Sequence, residues 1–453
     1  MEFGDFILVH DGDDLGRLAL SRDRLAGEVD DFDLALTTLE VRRKLRTKVP
    51  EWYAVPSLRY PLRVSGEQCS SSATARYKAS VALASVEALD SIWAKRRDSA
   101  QTHSDSELNP GKKPLFRPVS LADLTGGLGV DSWAFAQVFD QVLYNEMQSE
   151  LADAARHNFA LLGAGNITVR NFALAPSTVM PAGTSVIPAV TSVIPSEASV
   201  SHIDTILGAF HPDIMFLDPA RRAADGRKVF RLEDCRPDVL QLLPELLATC
   251  PLLLLKLSPM ADITLVCRQL GCVREVHVVA AEGECKELLL LLERDWIGPY
   301  ALTVFEDGTV AKIDVGPCHP EERTDEGPVG ESSPGSFLFE PGKALLKAGA
   351  FDWPCRFGLA KLGRHTHYYI ASEPVEPAAP FGKWFRILEA VPLNNKSIKD
   401  IGRRYPVADV TARNIPLTSD QLRAKLGVRS GGPVHIFGLH IDAENANFLL
   451  ICQ

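Results

Sequence analysis

The sequence predicts an α/β protein built on a mostly parallel sheet of seven strands, with a helical region ahead of it and small α+β modules behind. Three observations predict it. Residues 121–131, LADLTGGLGVD, read as a short apolar strand, a tight Gly turn and the start of a helix. Apolar, strand-like runs then alternate with helical patterns, the mark of parallel strands joined by crossover helices. Finally, VREVHVVA and KELLLLLER are joined by the short Gly-bearing link AEGEC, which predicts a hairpin and one antiparallel edge strand.

The elements follow in order. Residues 1–100 read as mainly helical. DLALTTLEVRRKLRTKV has apolar residues at helical spacing, and Pro50 ends the pattern. Ser70, Ser71 and Ser72 offer N-caps to the Ala-rich helix that follows. A second reading places these hydroxyls, with Arg76 or Lys78, beside the Gly turn. Residues 99–113 (SAQTHSDSELNPGKK) have linker composition. Strands are expected near 119–124, 141–146, 166–171, 212–218, 251–257, 272–281 and 286–293. Helices are expected near 130–139, 148–162, 234–248 and 260–270. The stretch 175–201 holds TSVIP twice among Pro, Ser and Val, and reads as a loop insertion. ALTVFEDGTVAKIDV predicts a hairpin turning at Asp307-Gly308. Residues 317–335 are acidic and rich in breakers, as a flexible loop would be. The expected divisions are a helical domain at 1–100, the α/β domain at 114–297, an α+β region, ferredoxin-like in one reading, at 298–380, and a last module at 381–453.

Composition narrows the class. The chain has 453 residues, enough for several domains, and its 46% apolar and 23% charged content is that of a soluble globular protein. Its apolar runs are too short to cross a bilayer, and MEFGDFILVHDGDD is acidic where a signal peptide starts basic. Nine cysteines without a CxxC pair or metal-ligand spacing point to a reducing cytoplasm and no metal. The net charge of −10 argues against a chain coated in nucleic acid. Residues 381–453 differ: ten Lys and Arg stand against six acids, a local balance of +4.

The Gly turn suits a nucleotide-like cofactor or an anion, because it leaves backbone N–H groups free of Cβ obstruction. Glu146 closes VLYNE about 20 residues beyond the glycines, where an acid accepts hydrogen bonds from a ribose diol. No third Gly follows Gly127-Leu128-Gly129, as it would in a dinucleotide fingerprint. Two further buried runs end in DIMFLDPARR and PLLLLKLSP. Taken together, residues 118–295 resemble the Rossmann-like class I S-adenosylmethionine-dependent methyltransferases. DLTGGLG stands at their D-x-x-x-G-x-G position, Glu146 at their ribose acid and LDPARR at their [DN]-P-P-x position. ARNIPLTSDQLRAKLGVRSGGPVHIFG in the tail resembles a THUMP-like domain, which implies RNA. The whole chain, through EQCSSSATARYKA, DLTGGLGVDS, LDPARR, LKLSPMADI and ECKELL, is similar to bacterial proteins that join a helical part, a methyltransferase and a THUMP-like tail.

The resemblance implies S-adenosyl-L-methionine as cofactor, held by Asp123, Thr125, Gly126, Gly127, Gly129, Glu146 and Asn171. It places catalysis at Asp218 and Pro219, with Arg221, Arg222 and Lys256 toward the substrate and Arg227 nearby. Ala220 and Arg221 stand where amino-group methyltransferases carry Pro and a stacking ring. Methylation of uridine carbon needs a cysteine nucleophile. The matching place is Leu257-Ser258-Pro259, which has no cysteine; Cys235 and Cys285 are nearby in sequence, the latter in the hairpin, so the covalent route is disfavoured. Lys256, Glu282, Glu284 and Lys286 read equally as solvated surface pairs. The expected function is methylation of a base nitrogen in rRNA or tRNA. A methyltransferase acting on a small molecule or protein, and a non-catalytic RNA-binding scaffold, remain the alternatives.

Overall fold

A computed structural model describes residues 1–100, 118–175, 200–201, 203–220, 232–313 and 335–453. The expectations placed on 101–113, on most of 175–201, on Arg221, Arg222 and Arg227 and on 317–334 fall outside the described residues. The chain divides into two units, Met1–Val276 with Glu287–Tyr300, and His277–Lys286 with Ala301–Gln453.

The first unit begins helical: α1 (Phe3–His10), α2 (Leu15–Leu20), α3 (Arg22–Leu25), α4 (Phe32–Lys48), α5 (Pro50–Tyr53), α6 (Arg63–Gln68) and α7 (Ser72–Ala100). The Asp31 side chain caps α4 by accepting from Leu34 N–H. The buried face of α4, from Phe32 through Leu39, packs on Phe6, Ile7 and Leu18.

The α/β part follows: β1 (Ser120–Asp123), α8 (Val130–Phe135), β2 (Gln141–Asn145), α9 (Ser149–Leu161), β3 (Ile167–Arg170), β4 (Ala173–Leu174), β5 (Val200–Ser201), α10 (Ile203–Leu207), β6 (Ile214–Leu217), α11 (Val239–Thr249), β7 (Leu252–Leu257), α12 (Ile263–Leu270), β8 (Val273–Ala281) and β9 (Glu284–Glu293). Strands β3, β2, β1, β6 and β7 lie side by side in parallel, and β9 joins β7 antiparallel. This is the Rossmann-like α/β architecture. Strands β1, β6 and β7 are buried along their whole length, as strands covered by helices on both faces must be.

Four expectations change. The helix at 130–139 stops at Phe135 and tightens into i→i−3 turns through Val138. The helix at 234–248 begins at Val239, because the Asp238 side chain caps it by accepting from Gln241 N–H. The 175–201 stretch does not end as plain loop, since its last residues form β5, which pairs in parallel with β4 just before the stretch. The antiparallel strand is not an edge: β9 runs between β7 and β8. The second unit adds β10 (Ala301–Glu306) and β11 (Thr309–Ile313), which pair antiparallel. The all-apolar centre of β9, Leu288–Leu292, is what an interior strand requires.

In the second unit, the β8–β9 and β10–β11 hairpins turn at Glu282-Gly283 and Asp307-Gly308, each pair at positive φ. A seven-stranded sheet follows. It is built from β12 (Phe337–Pro341), β13 (Ala360–Lys361), β14 (Tyr369–Ala371), β15 (Gly382–Pro392), β16 (Asp409–Arg413), β17 (His435–Ile441) and β18 (Ala446–Cys452). Its order is β13-β14-β12-β15-β18-β17-β16. Helices α13 (Lys343–Ala348), α14 (Asn395–Arg404) and α15 (Ser419–Leu426) accompany it. Because β15 pairs with β12, residues 337–341 and 382–392 share one sheet and one core of Leu338, Tyr368, Ile370, Ile387 and Phe437.

Candidate active site

The Gly turn between β1 and α8 is shaped by the groups beneath it. Gly126 donates its N–H to Asn145 O, and a Cβ there would lie 2.1 Å from the Tyr144 ring. That ring is fixed in turn, since Tyr144 Oη donates to Gly127 O at 2.6 Å. Gly129 sits at φ 93, and a Cβ would meet Phe159 at 2.7 Å. Close approach and positive φ together exclude larger residues at 129.

Asp123 ends β1 and is buried. Its Oδ1 accepts from Thr125 N–H and its Oδ2 from Ser132 Oγ at 2.5 Å. Both oxygens therefore brace the turn from below. Burial pushes this carboxyl up to about 7, against the Ser132 hydrogen bond and with the help of the nearby Asp131 charge.

Glu146 follows β2 and meets the turn directly: Gly127 N–H donates to its Oε2 and Gln148 N–H to its Oε1, both at 2.9 Å. So the Gly127 amide, expected to be uncovered, is covered by the acid that the sequence paired with it. Burial raises the Glu146 carboxyl, and these two amide hydrogen bonds oppose the rise. A carboxylate has about four acceptor positions, so two remain for a diol. Asn171 donates its side-chain amide to Glu146 O at 2.7 Å. The loop also leaves room: a Cβ on Gly127 would find only Thr125 O, at 4.0 Å. An open-sided Gly turn beside a desolvated acid and an amide fits the ribose and adenine ends of S-adenosylmethionine.

Asp218 follows β6 directly, and its backbone N–H donates to Thr125 Oγ1 at 2.7 Å. This bond ties the LDP segment to the Gly turn. Pro219 after it is buried, and Ala220 pairs with Arg236 through two backbone hydrogen bonds. The Asp218 side chain is 28% exposed, and its Oδ2 accepts from Lys256 Nζ at 2.6 Å. Lys256 itself is 5% exposed, so it is no solvated surface residue. Burial would lower its ammonium, but the carboxylates of Asp218 and Glu287 outweigh that and hold it well above the usual lysine range. Lys286, by contrast, pairs with Glu282 and Glu284 at the exposed tip of its hairpin, as a surface cluster does.

The serine run does more than cap. Ser71 Oγ accepts from Thr74 N–H, as an N-cap does. Ser72 donates to Glu51, which also pairs with Arg76. Ser70 donates to Asp131 Oδ2 at 2.9 Å and accepts from Lys78 Nζ at 2.8 Å. Lys78 is wholly buried and reaches Glu287 Oε1 at 2.7 Å. Glu287 and Asp131 were not anticipated as members of this cluster. A signal existed for one partner: Lys256 interrupts a buried leucine run, and a buried lysine requires an acid. Burial raises the thiols of the buried Cys250 and the partly buried Cys267, each to about 11, which suits inert cysteines.

Residues 382–453 match the THUMP domain-like family and 337–377 a ferredoxin-like domain. The chain is similar to a solved structure described as a "putative methyltransferase from Porphyromonas gingivalis W83". That likeness has 26% identity and a TM-score of 0.70, and spans 100% of this chain and 97% of that one. The chain has a methyltransferase fold with a THUMP domain-like tail. An rRNA methylase from Streptococcus thermophilus matches at 11% identity over 39% of this chain and 86% of its own, with a TM-score of 0.24. A SAM-dependent methyltransferase from Agrobacterium tumefaciens matches at 17% identity over 39% of this chain and 56% of its own, also at 0.24. No curated protein matches the chain.

Proposed function

We propose that this protein transfers a methyl group from S-adenosylmethionine to a base nitrogen of RNA, rRNA or tRNA. The observation that carries the reading is Asp218. It is a half-buried carboxylate at the end of β6, hydrogen-bonded through its backbone to the Gly turn and gripped on one oxygen by Lys256. Asp123, Thr125, Gly126, Gly127 and Gly129 shape the cofactor loop, while Glu146 and Asn171 receive the ribose and adenine. Bound there, the cofactor supplies an electrophilic methyl group.

The protein's share is alignment and exclusion of water. Asp218 Oδ2 is taken by Lys256, and its Oδ1 has no partner among the described residues. That second oxygen accepts a hydrogen bond from the target amino group. The bond orients the nitrogen lone pair and stabilises the charge that develops on nitrogen. Lys256 keeps its proton and so does not act as a base. Pro219 holds the backbone just after the acid. Ala220 supplies no stacking ring, so the base is held by other contacts; Arg221 and Arg222 are the proposed phosphate ligands.

RNA as substrate is supported by the tail. Lys383, Arg386, Lys396, Lys399, Lys425 and Arg429 are exposed and have no ion pair among the described residues. Mass spectrometry of total RNA nucleosides from a strain lacking the protein tests the substrate class. One methylated nucleoside should disappear and return when purified protein and S-adenosylmethionine are added to that RNA. Unchanged RNA, with methyl transfer to a protein or small molecule in the same extract, would refute the RNA reading.

A further inference from the structure

Behind Asp218 lies a buried chain of alternating charges. Lys256 Nζ is 2.6 Å from Asp218 Oδ2 and 3.7 Å from Glu287 Oε2. Glu287 Oε1 is 2.7 Å from Lys78 Nζ, which is also 3.2 Å from Asp131 Oδ1 and 2.8 Å from Ser70 Oγ. Glu287 is 4% exposed and Lys78 0%. Lys78 comes from α7 in the helical N-terminal part, Asp131 from the first turn of α8, Lys256 from β7 and Glu287 from β9.

Stability alone does not account for the chain. Burying an ion costs several kcal/mol even when it is paired, and apolar residues of similar volume often serve as well or better. What the chain does is share one carboxylate between two ammoniums. Glu287 holds Lys78 closely and Lys256 loosely, which leaves Lys256 to Asp218.

We propose that Lys78 and Glu287 are positioning residues: they set Lys256 on one oxygen of Asp218 and so reserve the other for the methyl acceptor. This deepens the reading of Asp218 above and rests on it. It makes the helical N-terminal part a constituent of the active centre through α7. Without the Lys78 charge, Glu287 has a single ammonium to satisfy it, and Lys256 is drawn off Asp218. Neutralising Glu287 as well removes that pull.

The test uses the full-length protein and the variants Lys78→Met, Glu287→Gln and both together. Crystal structures give the Lys256–Asp218 contact. Methyl transfer to RNA from the strain lacking the protein gives kcat and the cofactor KM. Lys78→Met should open the contact beyond about 3.5 Å, the limit of a hydrogen bond. Its kcat should fall about 10- to 100-fold, as misplacement of an active group does, with the cofactor KM unchanged. The double variant should regain the contact and come within about threefold of Glu287→Gln, the non-additivity expected of one network. An intact contact in Lys78→Met overturns the proposal, as does a double variant no better than the single one. Should Lys78→Met not fold, Lys78→Gln, which keeps a donor for Ser70 and Glu287, carries the same expectation. If the wild type transfers nothing to RNA, the substrate reading fails there, while the crystallographic comparison still decides the positioning role.

Discussion

Single residues carry most of the chemistry, and two sets of substitutions test them. Gly129→Asp puts a side chain and a charge where the Phe159 ring already crowds the turn. It should abolish S-adenosylmethionine binding measured by calorimetry. Glu146→Ala removes the diol acceptor and should weaken binding by about 1.5–3 kcal/mol, the worth of a charged hydrogen bond. Asp123 makes a prediction in pH. Its carboxyl is about 7 in the fold against an ordinary value of 3.8, so the native state binds the proton more tightly. The stability it contributes is fully present below about pH 4 and is lost as pH rises toward 7. Asp123→Asn can keep both local hydrogen bonds without the charge. It should therefore raise the melting temperature at pH 8 more than at pH 5; a larger gain at pH 5 would contradict the assignment. The glycines, Glu146 and Asp218 were legible in the sequence because turn chemistry and strand ends are local. The Lys78–Glu287 contact was not: its partners stand 209 residues apart, and only the folded sheet brings them together.

At the scale of elements, Gly126 shows how packing fixes the loop. The Tyr144 ring lies where a Cβ would go and is held by its own bond to Gly127 O. Gly126→Ala should cost about 1–3 kcal/mol, the usual penalty of overpacking, and lower the melting temperature measurably. An unchanged melting temperature would mean the loop can move aside. Hairpins at Glu282-Gly283 and Asp307-Gly308 were readable because positive φ selects Gly beside an acidic residue. The short strands β4 and β5 and the short helix α10 were not, since two to five residues establish no period. Nor could the hairpin motif reveal that β9 would enter the sheet interior, because pairing partners are a tertiary property.

For the whole molecule, the RNA reading concerns the charge of the tail. Cutting the chain after 378 would strip β15 from β12 and break their common sheet, so point substitutions are the cleaner probe. Lys396→Glu with Lys399→Glu on α14 should weaken RNA binding and lower its salt slope by about 2, one per lost phosphate contact. An unaltered slope would mean that α14 does not meet the backbone. The fold class and the tail were visible in the sequence because their motifs are contiguous, whereas the β12–β15 pairing joins stretches some forty residues apart. The central claim, a methyl transfer organised around Asp218, is tested most directly by turnover. Purified wild type, Asp218→Ala and Asp218→Asn are given labelled S-adenosylmethionine and RNA from the strain lacking the protein, with cofactor affinity measured alongside. Asp218→Ala should bind cofactor like wild type and turn over about 10²–10³ more slowly, with Asp218→Asn in between. Wild-type turnover in Asp218→Ala, or loss of cofactor binding in place of turnover, would contradict the account.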